Sequence, residues 1–542
     1  MTRGRVRRKM MTATAATLAI GLALAGCGGG DSAAVERDEN GKIIINITQV
    51  KGSSVQLPMD QMEWPAQLEA ACDCTIKWSE IDLSAFSQQH SALLAGGNIP
   101  DIAMGLFNAE DAAKYPDYFE DFNAHLDESP NLKEYLNDRE EVRKMSTTQD
   151  GKLYSLNSDI TYAYSARSGN NAIVINKEWL DKLGLEVPTT WDEITEVLKA
   201  FKTQDPNGNG KADEVPLGIV KPDNSRFQLW TPYLLLASYG ITPQVNQETG
   251  GYGYYVKDGK VNNFMLTDEF RSVTEQIHEW MADGLIPADA ATMDSSTYKS
   301  IQKNKDGVAY MGMFFDRNTT NMKTWEQYIS IPVPAAPGHS IDETTWLPDE
   351  AWTKGDGFTT LSAEAMQDKD KATAIMKIID TLLSEDMSVQ TTFGASPTYS
   401  KKTGEDTYEM LPAMFADATK APGMKGRTLA YLRKDTKIIN NVEGQEDWEY
   451  ASNSRLAETY KPVQEKLTTE NYFPQWLNPT DEDRVTLADN NSVIMNYALP
   501  KISNWWSNGV TDAEWDEFVN SLKSYGIEKN IEIWQKTYDA QK

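Results

Sequence analysis

Residues Asp205 to Glu214 read DPNGNGKADE and space oxygen-bearing side chains as a hard cation requires. Asp205, Asn207, Asn209 and Asp213 fall at positions 1, 3, 5 and 9 of an EF-hand-like loop, and Gly210 falls at position 6, where the chain must turn sharply. Lys211, at position 7, offers its backbone carbonyl, so its side-chain charge does not matter. The pattern departs at position 12, where Pro216 stands in place of a bidentate Glu; Glu214 is the substitute. The expected cofactor is one Ca2+, structural because the loop directly follows a capped helix. The alternative is a hydrophilic turn without metal, since Asn, Gly and Asp strings also make turns.

Other metal chemistry finds little material. The chain has 542 residues with only four His (His90, His125, His278, His339) and three Cys, none spaced for zinc, iron-sulfur or haem. No G-x-S-x-G or H-E-x-x-H motif marks a hydrolytic centre. Against 80 Asp and Glu stand 52 Lys and Arg, a net charge of -28 that repels phosphate backbones, so no nucleic-acid partner is expected.

One cysteine does carry a motif. Arg3, Arg5, Arg7, Arg8 and Lys9 precede an almost charge-free run from Met10 to Ala25, the charged and apolar regions of an export signal too short for a convincing membrane span. The run ends in Leu24-Ala25-Gly26-Cys27, which resembles a bacterial lipobox and predicts cleavage before a diacylglyceryl-modified Cys27. An ordinary signal peptide with an incidental Cys is the alternative. Removing residues 1–26 takes away those five basic groups and no acidic ones, so the charge moves from -28 to -33. Gly28 to Ala34 reads as a tether. Cys72 and Cys74 are one residue apart in an oxidising compartment, where a disulfide is open and a metal site is not expected.

These features need positioning elements. Lys42–Val50 reads as a buried strand, Gln61–Ala71 as a helix and Thr75–Ile81 as a second strand, an order that implies a parallel α/β sheet. Ser87–Ala95 is helical, and Asn98–Met104 is a turn entering a short strand. Thr190 and Glu193 form a capping box before the stripe Trp191, Ile194, Val197, Leu198 and Phe201, and Thr511 and Glu514 repeat it before Trp515, Phe518, Val519 and Leu522, with Gly526 as the stop. Ala372 to Leu383 marks another buried helix.

Four segments together resemble the extracellular solute-binding proteins of bacterial carbohydrate ABC importers, especially the long members that bind alginate- and fructo-oligosaccharides. Ser91 to Ile102 (SALLAGGNIPDI) is similar to a family turn, and Asn176 to Gly184 with Pro188 to Glu193 is similar to a second block. Gly357 to Ala363 and the tail Asn508 to Tyr538 complete a collinear match along the mature chain. The resemblance implies an α/β, two-lobed periplasmic-binding-protein-like fold with hinge crossings and a ligand cleft between the lobes. It places crossings near 154–165, 352–360 and 393–400. The implied organisation is a lipoprotein signal peptide at 1–26, a flexible tether at 27–41, lobe I at 42–160 and 356–400, lobe II with the calcium loop at 161–355, and a helical segment belonging mainly to lobe II at 401–542. The alginate-binding group is similar in its calcium loop too.

The implied ligand is an oligosaccharide, whose rings need aromatic platforms and short polar groups. Tyr162 and Tyr164 at the first crossing, Trp352 at the second, and Trp230 and Tyr233 near an inter-lobe helix are the aromatic candidates. Phe314 and Phe315 join them, because they follow the strand Val308–Met313 as two stacking aromatics do in the similar maltodextrin binders. Gln49, Lys51 and Asp316 are the polar candidates, since ligands collect at the carboxyl ends of parallel strands. Each aromatic has a core reading beside it, whereas Trp179, Trp191, Trp280, Trp515 and Trp534 are read as framework. The implied protein is a monomer on the outer face of the cell membrane, held there by lipid alone and delivering sugar to ABC permease subunits, with no catalysis. A secreted glycoside hydrolase, with two carboxylates among many, is the alternative of another class, and a peptide or lipid binder would share the fold.

Overall fold

The computed structural model describes residues 35–542 except 52–54, 149–150, 161–170, 222, 224–226, 228–229, 245–251, 304–305, 317–318, 321, 348–357, 425–426 and 475. Two sheets organise two lobes. The first has the order β2-β1-β3-β11-β4, from β1 (Ile43–Val50), β2 (Cys74–Ile81), β3 (Ile102–Met104), β4 (Ser155–Asn157) and β11 (Phe358–Leu361). β1 runs parallel to β2 and β3, as the strand-helix-strand reading requires, and β11 enters antiparallel between β3 and β4.

Both faces of this sheet are covered, which explains why β1 is an apolar run rather than an alternating one. Ile45, Ile47, Met104, Leu156 and Leu361 face a core shared with the helices Pro130–Asp138 and Lys369–Leu382. Val50, Ile81, Ala103, Leu106 and Phe107 face the helix Phe86–Gly96 on the other side. The first helix begins at Pro65, not Gln61, because proline fits the first helical turn, where its missing N–H is not needed. It ends at Cys72, and Asp73 (φ 48°) turns the chain so that Cys72 and Cys74 form a disulfide.

The second sheet has the order β10-β5-β9-β6, from β5 (Ala172–Asn176), β6 (Val215–Gly218), β9 (Met311–Asp316) and β10 (Tyr328–Ser330). Its large core includes Trp179, Trp191, Trp280 and Trp515, while Trp534 sits in a neighbouring cluster with the hairpin β7 (Tyr254–Lys257) and β8 (Lys260–Asn263). Both capping boxes form, at Thr190/Glu193 and Thr511/Glu514. Gly526 (φ 92°) both stops one helix and opens the last, Ile527–Gln541.

A third sheet, β12 (Ser400–Lys402), β13 (Thr407–Met410) and β14 (Lys437–Asn440), departs from the expectation for 401–542. Tyr408, Met410, Leu432 and Ile438 pack on Val389 and Phe393 of the helix Glu385–Phe393, so this part belongs with the first lobe. Only from the helix Glu449–Ala457 onward does the chain join the second-lobe cores. The chain therefore passes between lobes after β4, before β11 and after β14. The third passage lies between Asn440 and Glu449, not at 393–400, which links two elements of a single cluster. Among the described residues no helix is long and apolar enough to cross a membrane.

Candidate functional site

The carboxyl ends of β1 and β3 open into a cavity of about 310 Å³. Val50 ends β1, Gly105 and Leu106 follow β3, and Phe358 begins the antiparallel β11 beside them. Gly105 (φ 69°) donates its N–H to the Phe358 carbonyl at 2.6 Å, which joins the two strand ends into one rim. Leu83, Phe86, His90, Asn108, Asp111 and Arg427 complete the lining.

Phe86 and His90 lie one helical turn apart, so they share a face. Their rings are 5.4 Å apart and tilted by 34°, and His90 lies 5.7 Å from the buried Phe107. His90 Nε2 is 2.8 Å from Asp111 Oδ2, which also accepts the Asn108 N–H at 3.1 Å. The Asp111 N–H donates back to Asn108 Oδ1 at 2.9 Å, so loop and helix hold one another. The result is a partly exposed aromatic ring next to fixed hydrogen-bonding groups, the combination a sugar ring needs.

The residues anticipated from the sequence fare differently. Lys51 stands at the carboxyl end of β1, with Nζ 3.9 Å from both Glu80 and Asp82. Gln49 is fully buried and its amide meets Met424 Sδ at 3.7 Å, so it lies beneath Met424 and is not among the described residues that line the cavity. Tyr233, Phe314 and Phe315 are corrections. The strand begins at Met311 and runs through Asp316, which puts both Phe residues inside an interior strand flanked by β5 and β6; they are 0% and 1% exposed. Tyr233 is also fully buried, sharing hydrogen bonds with Thr274 and Trp506. Rings without an exposed face offer no platform, and these three belong to the second-lobe core.

Trp230 is half-buried with φ 59°, and its N–H donates to Asn171 Oδ1 at 2.9 Å, which sets it beside the start of β5 and hence beside the first passage between lobes. Asp316 accepts from Gln302 Nε2 at 2.7 Å at the end of β9. Tyr162, Tyr164, Trp352 and Cys27 lie outside the described residues.

The loop Asp205–Glu214 does draw its oxygens together. Asp205 (φ 46°), Gly208 (72°) and Gly210 (74°) take the left-handed turns that fold it back on itself. Asp205 accepts the N–H groups of Asn209 and Gly210 at 3.2 and 3.0 Å, and Asn209 Oδ1 accepts that of Lys211 at 2.8 Å. The amides of Asn207 and Asn209 donate to Asp213 at 3.2 and 2.9 Å. Glu214 Oε1 is buried without a hydrogen-bond partner, and burial, reinforced by the charges of Asp205 and Asp213, raises the Glu214 pKa above the usual carboxylate value. An all-oxygen donor set with a stranded carboxylate oxygen fits a hard divalent cation. Among the described residues no group of three or more His, Cys, Asp or Glu already stands in a metal-holding arrangement.

The sequence profile of the family described as bacterial extracellular solute-binding protein matches residues 48–385. The fructooligosaccharide ABC transporter substrate-binding protein FusA of Streptococcus pneumoniae is 28% identical over 427 residues, covering 76% of this chain and 73% of FusA. The fold is similar to that of an HMO-binding, ABC-transporter-associated solute-binding protein from Bifidobacterium longum infantis, with 35% identity, a TM-score of 0.83 and coverage of 92% and 99% of the two chains. FusA in complex with kestose superposes with a TM-score of 0.68 at 25% identity, over 92% of this chain and 99% of FusA.

Proposed function

Because the chain belongs to the bacterial extracellular solute-binding protein family, we propose that it captures an oligosaccharide between its two lobes and delivers it to the transmembrane subunits of an ABC importer. The observation that carries this reading is the kinship, along nearly the whole chain, with an HMO-binding solute-binding protein at 35% identity. The cavity at the ends of β1 and β3 supports it, with Phe86 as the sugar-facing ring and Asn108, Asp111 and Arg427 as hydrogen-bonding groups. Lys51, Trp230 and Asp316 are secondary contacts, together with Tyr162, Tyr164 and Trp352 at the passages.

The lobes are assigned as 42–160 with 356–440, and 161–355 with 449–542. Closure about the passages between them lets a ligand stabilise the closed state by touching both lobes. Calcium is held by the side chains of Asp205, Asn207, Asn209, Asp213 and Glu214 and the carbonyl of Lys211. It cross-links a surface loop and takes no part in ligand chemistry. The protein is a monomer anchored through Cys27 to the outer face of the cell membrane.

The test is calorimetry with kestose, longer fructo-oligosaccharides and HMOs, with chromatography of each sugar after incubation. Saturable binding with intact sugar is expected. Cleavage that scales with protein concentration would transfer the protein to the hydrolases, and binding of none of these sugars would remove the oligosaccharide assignment.

A further inference from the structure

A second cavity, about 730 Å³, lies apart from the one at the strand ends. It lies between the two lobes and is lined from the first by Leu136, Asn137, Glu140, Arg143 and Lys144, and from the second by Trp476, Asn478 and Gln541. It shares no residue with the strand-end cavity, and the two lie on opposite faces of the first sheet. Leu136 and Val142 belong to the core on one face, Val50 and Leu106 to the cluster on the other.

Across this groove the lobes make a contact. Lys144 Nζ stands 4.6 Å from the centroid of the Trp476 ring. Both partners are firmly mounted. Trp476 donates its indole N–H to the Gln541 carbonyl at 3.0 Å, which fixes the ring to the last helix. Lys144 lies on the helix Glu140–Ser146, whose leading residue Arg139 is bonded to Asp159 at 2.7 Å, at the point where the chain leaves β4 for the second lobe. That helix is thus tied to the start of the first passage.

We infer that Lys144 and Trp476 form a latch behind the hinge, holding the lobes in the arrangement where the strand-end cavity is uncovered. Among the described residues, all those that line that cavity come from the first lobe, the arrangement expected while the second lobe stands away from it. Because cavity and groove lie on opposite faces of the first sheet, closing the lobes over the cavity widens the groove and separates Lys144 from Trp476. The two residues therefore set ligand affinity without touching ligand, as positioning residues. This inference rests on the hinge-closing reading above, and its test does not require a ligand.

Spin labels on cysteines introduced at Asn137 and Asn478, both exposed and lining the groove from either lobe, report its width. Lys144→Met, which keeps the length of the side chain and removes the charge, should increase the wide-groove population of the ligand-free protein about two- to five-fold, the worth of an exposed cation-π contact. Lys144→Arg, which keeps the charge over the ring, should leave the distribution near that of the wild type. Kestose affinity should rise by the same factor in Lys144→Met, because more of the protein is ready to close. An unchanged or narrower groove in Lys144→Met overturns the latch, as does equal widening in Lys144→Arg. If the groove widens and neither protein binds kestose, the latch stands and fructan recognition is what fails.

Discussion

Replacing Arg139 with Met tests whether the first passage is pinned by charge. The guanidinium is 2% exposed and donates to Asp159 at 2.7 Å, to the Leu432 carbonyl at 3.1 Å and to Asp138, while the Asp159 carboxylate is 0% exposed. Burial works against the charge of Arg139, yet Asp159 and Asp138 more than offset it and hold its pKa above the ordinary value. Methionine fills similar volume but breaks the buried Arg139–Asp159 pair, which costs about 3 to 5 kcal/mol. For a lobe of this size ~1 kcal/mol moves the midpoint by ~2 to 4 °C, so the first-lobe transition should fall by ~6 °C or more. Scanning calorimetry and urea unfolding measure it. Arg139→Met combined with Asp159→Asn should recover part of the loss, because the buried negative charge is removed together with its cation. A single variant that unfolds within ~1 kcal/mol of the wild type, against the ~3 kcal/mol expected, would refute the claim that this ion pair holds the passage.

Three further outcomes are expected. Phe86→Ala should weaken binding of whichever sugar the wild type takes by ~1 to 3 kcal/mol with a small change in melting, whereas Phe314→Ala should cost ~3 to 5 kcal/mol of stability and leave the affinity of the folded fraction intact; calorimetry paired with a melt separates them. Chelation should lower the melting temperature, and Asp205→Ala with Asp213→Ala should abolish that effect. Since burial raises the Glu214 pKa in the metal-free loop, the chelated protein, whose folded state favours protonated Glu214, should gain stability as pH falls through that raised value. Mass spectrometry of protein from its native membrane should find Cys27 at the N-terminus with a diacylglyceryl group.

How much was legible in the sequence depended on whether a signal was local. The capping boxes at Thr190/Glu193 and Thr511/Glu514 and the strand Ile43–Val50 are written in consecutive residues, and all formed. Phe314 and Phe315 were misplaced because the strand begins three residues later than its hydrophobic run suggests; Val308 to Tyr310 precede it, so the aromatics moved from the strand's end to its interior. Phe86, His90, Asn108 and Asp111 were missed, although the rule applied to the end of β1 applies equally to the loop after β3, and the i, i+4 spacing of Phe86 and His90 was visible. Phe358 and Arg427 had no local signal, since the fold brings them from more than 240 residues beyond Leu106 and Asn108. The third passage was misplaced for a similar reason: nothing in 400–440 reveals that its small sheet packs back on Val389 and Phe393.

The direction of β1 has a consequence for how an anchored molecule stands. Glu36 pairs with Ile44 near the amino end of the strand, while Val50 lines the cavity at the other. Six residues at ~3.3 Å separate those levels by ~20 Å. From Cys27 to Val35 the chain has eight links, at most ~28 Å when fully extended. A lipid on Cys27 would therefore fasten the molecule by the pole away from its cavity, on a leash that even fully extended is shorter than twice the distance between those levels. With such an anchor the cavity would look outward, away from the membrane, and presenting it to a permease in the same membrane would require the whole molecule to topple about its leash.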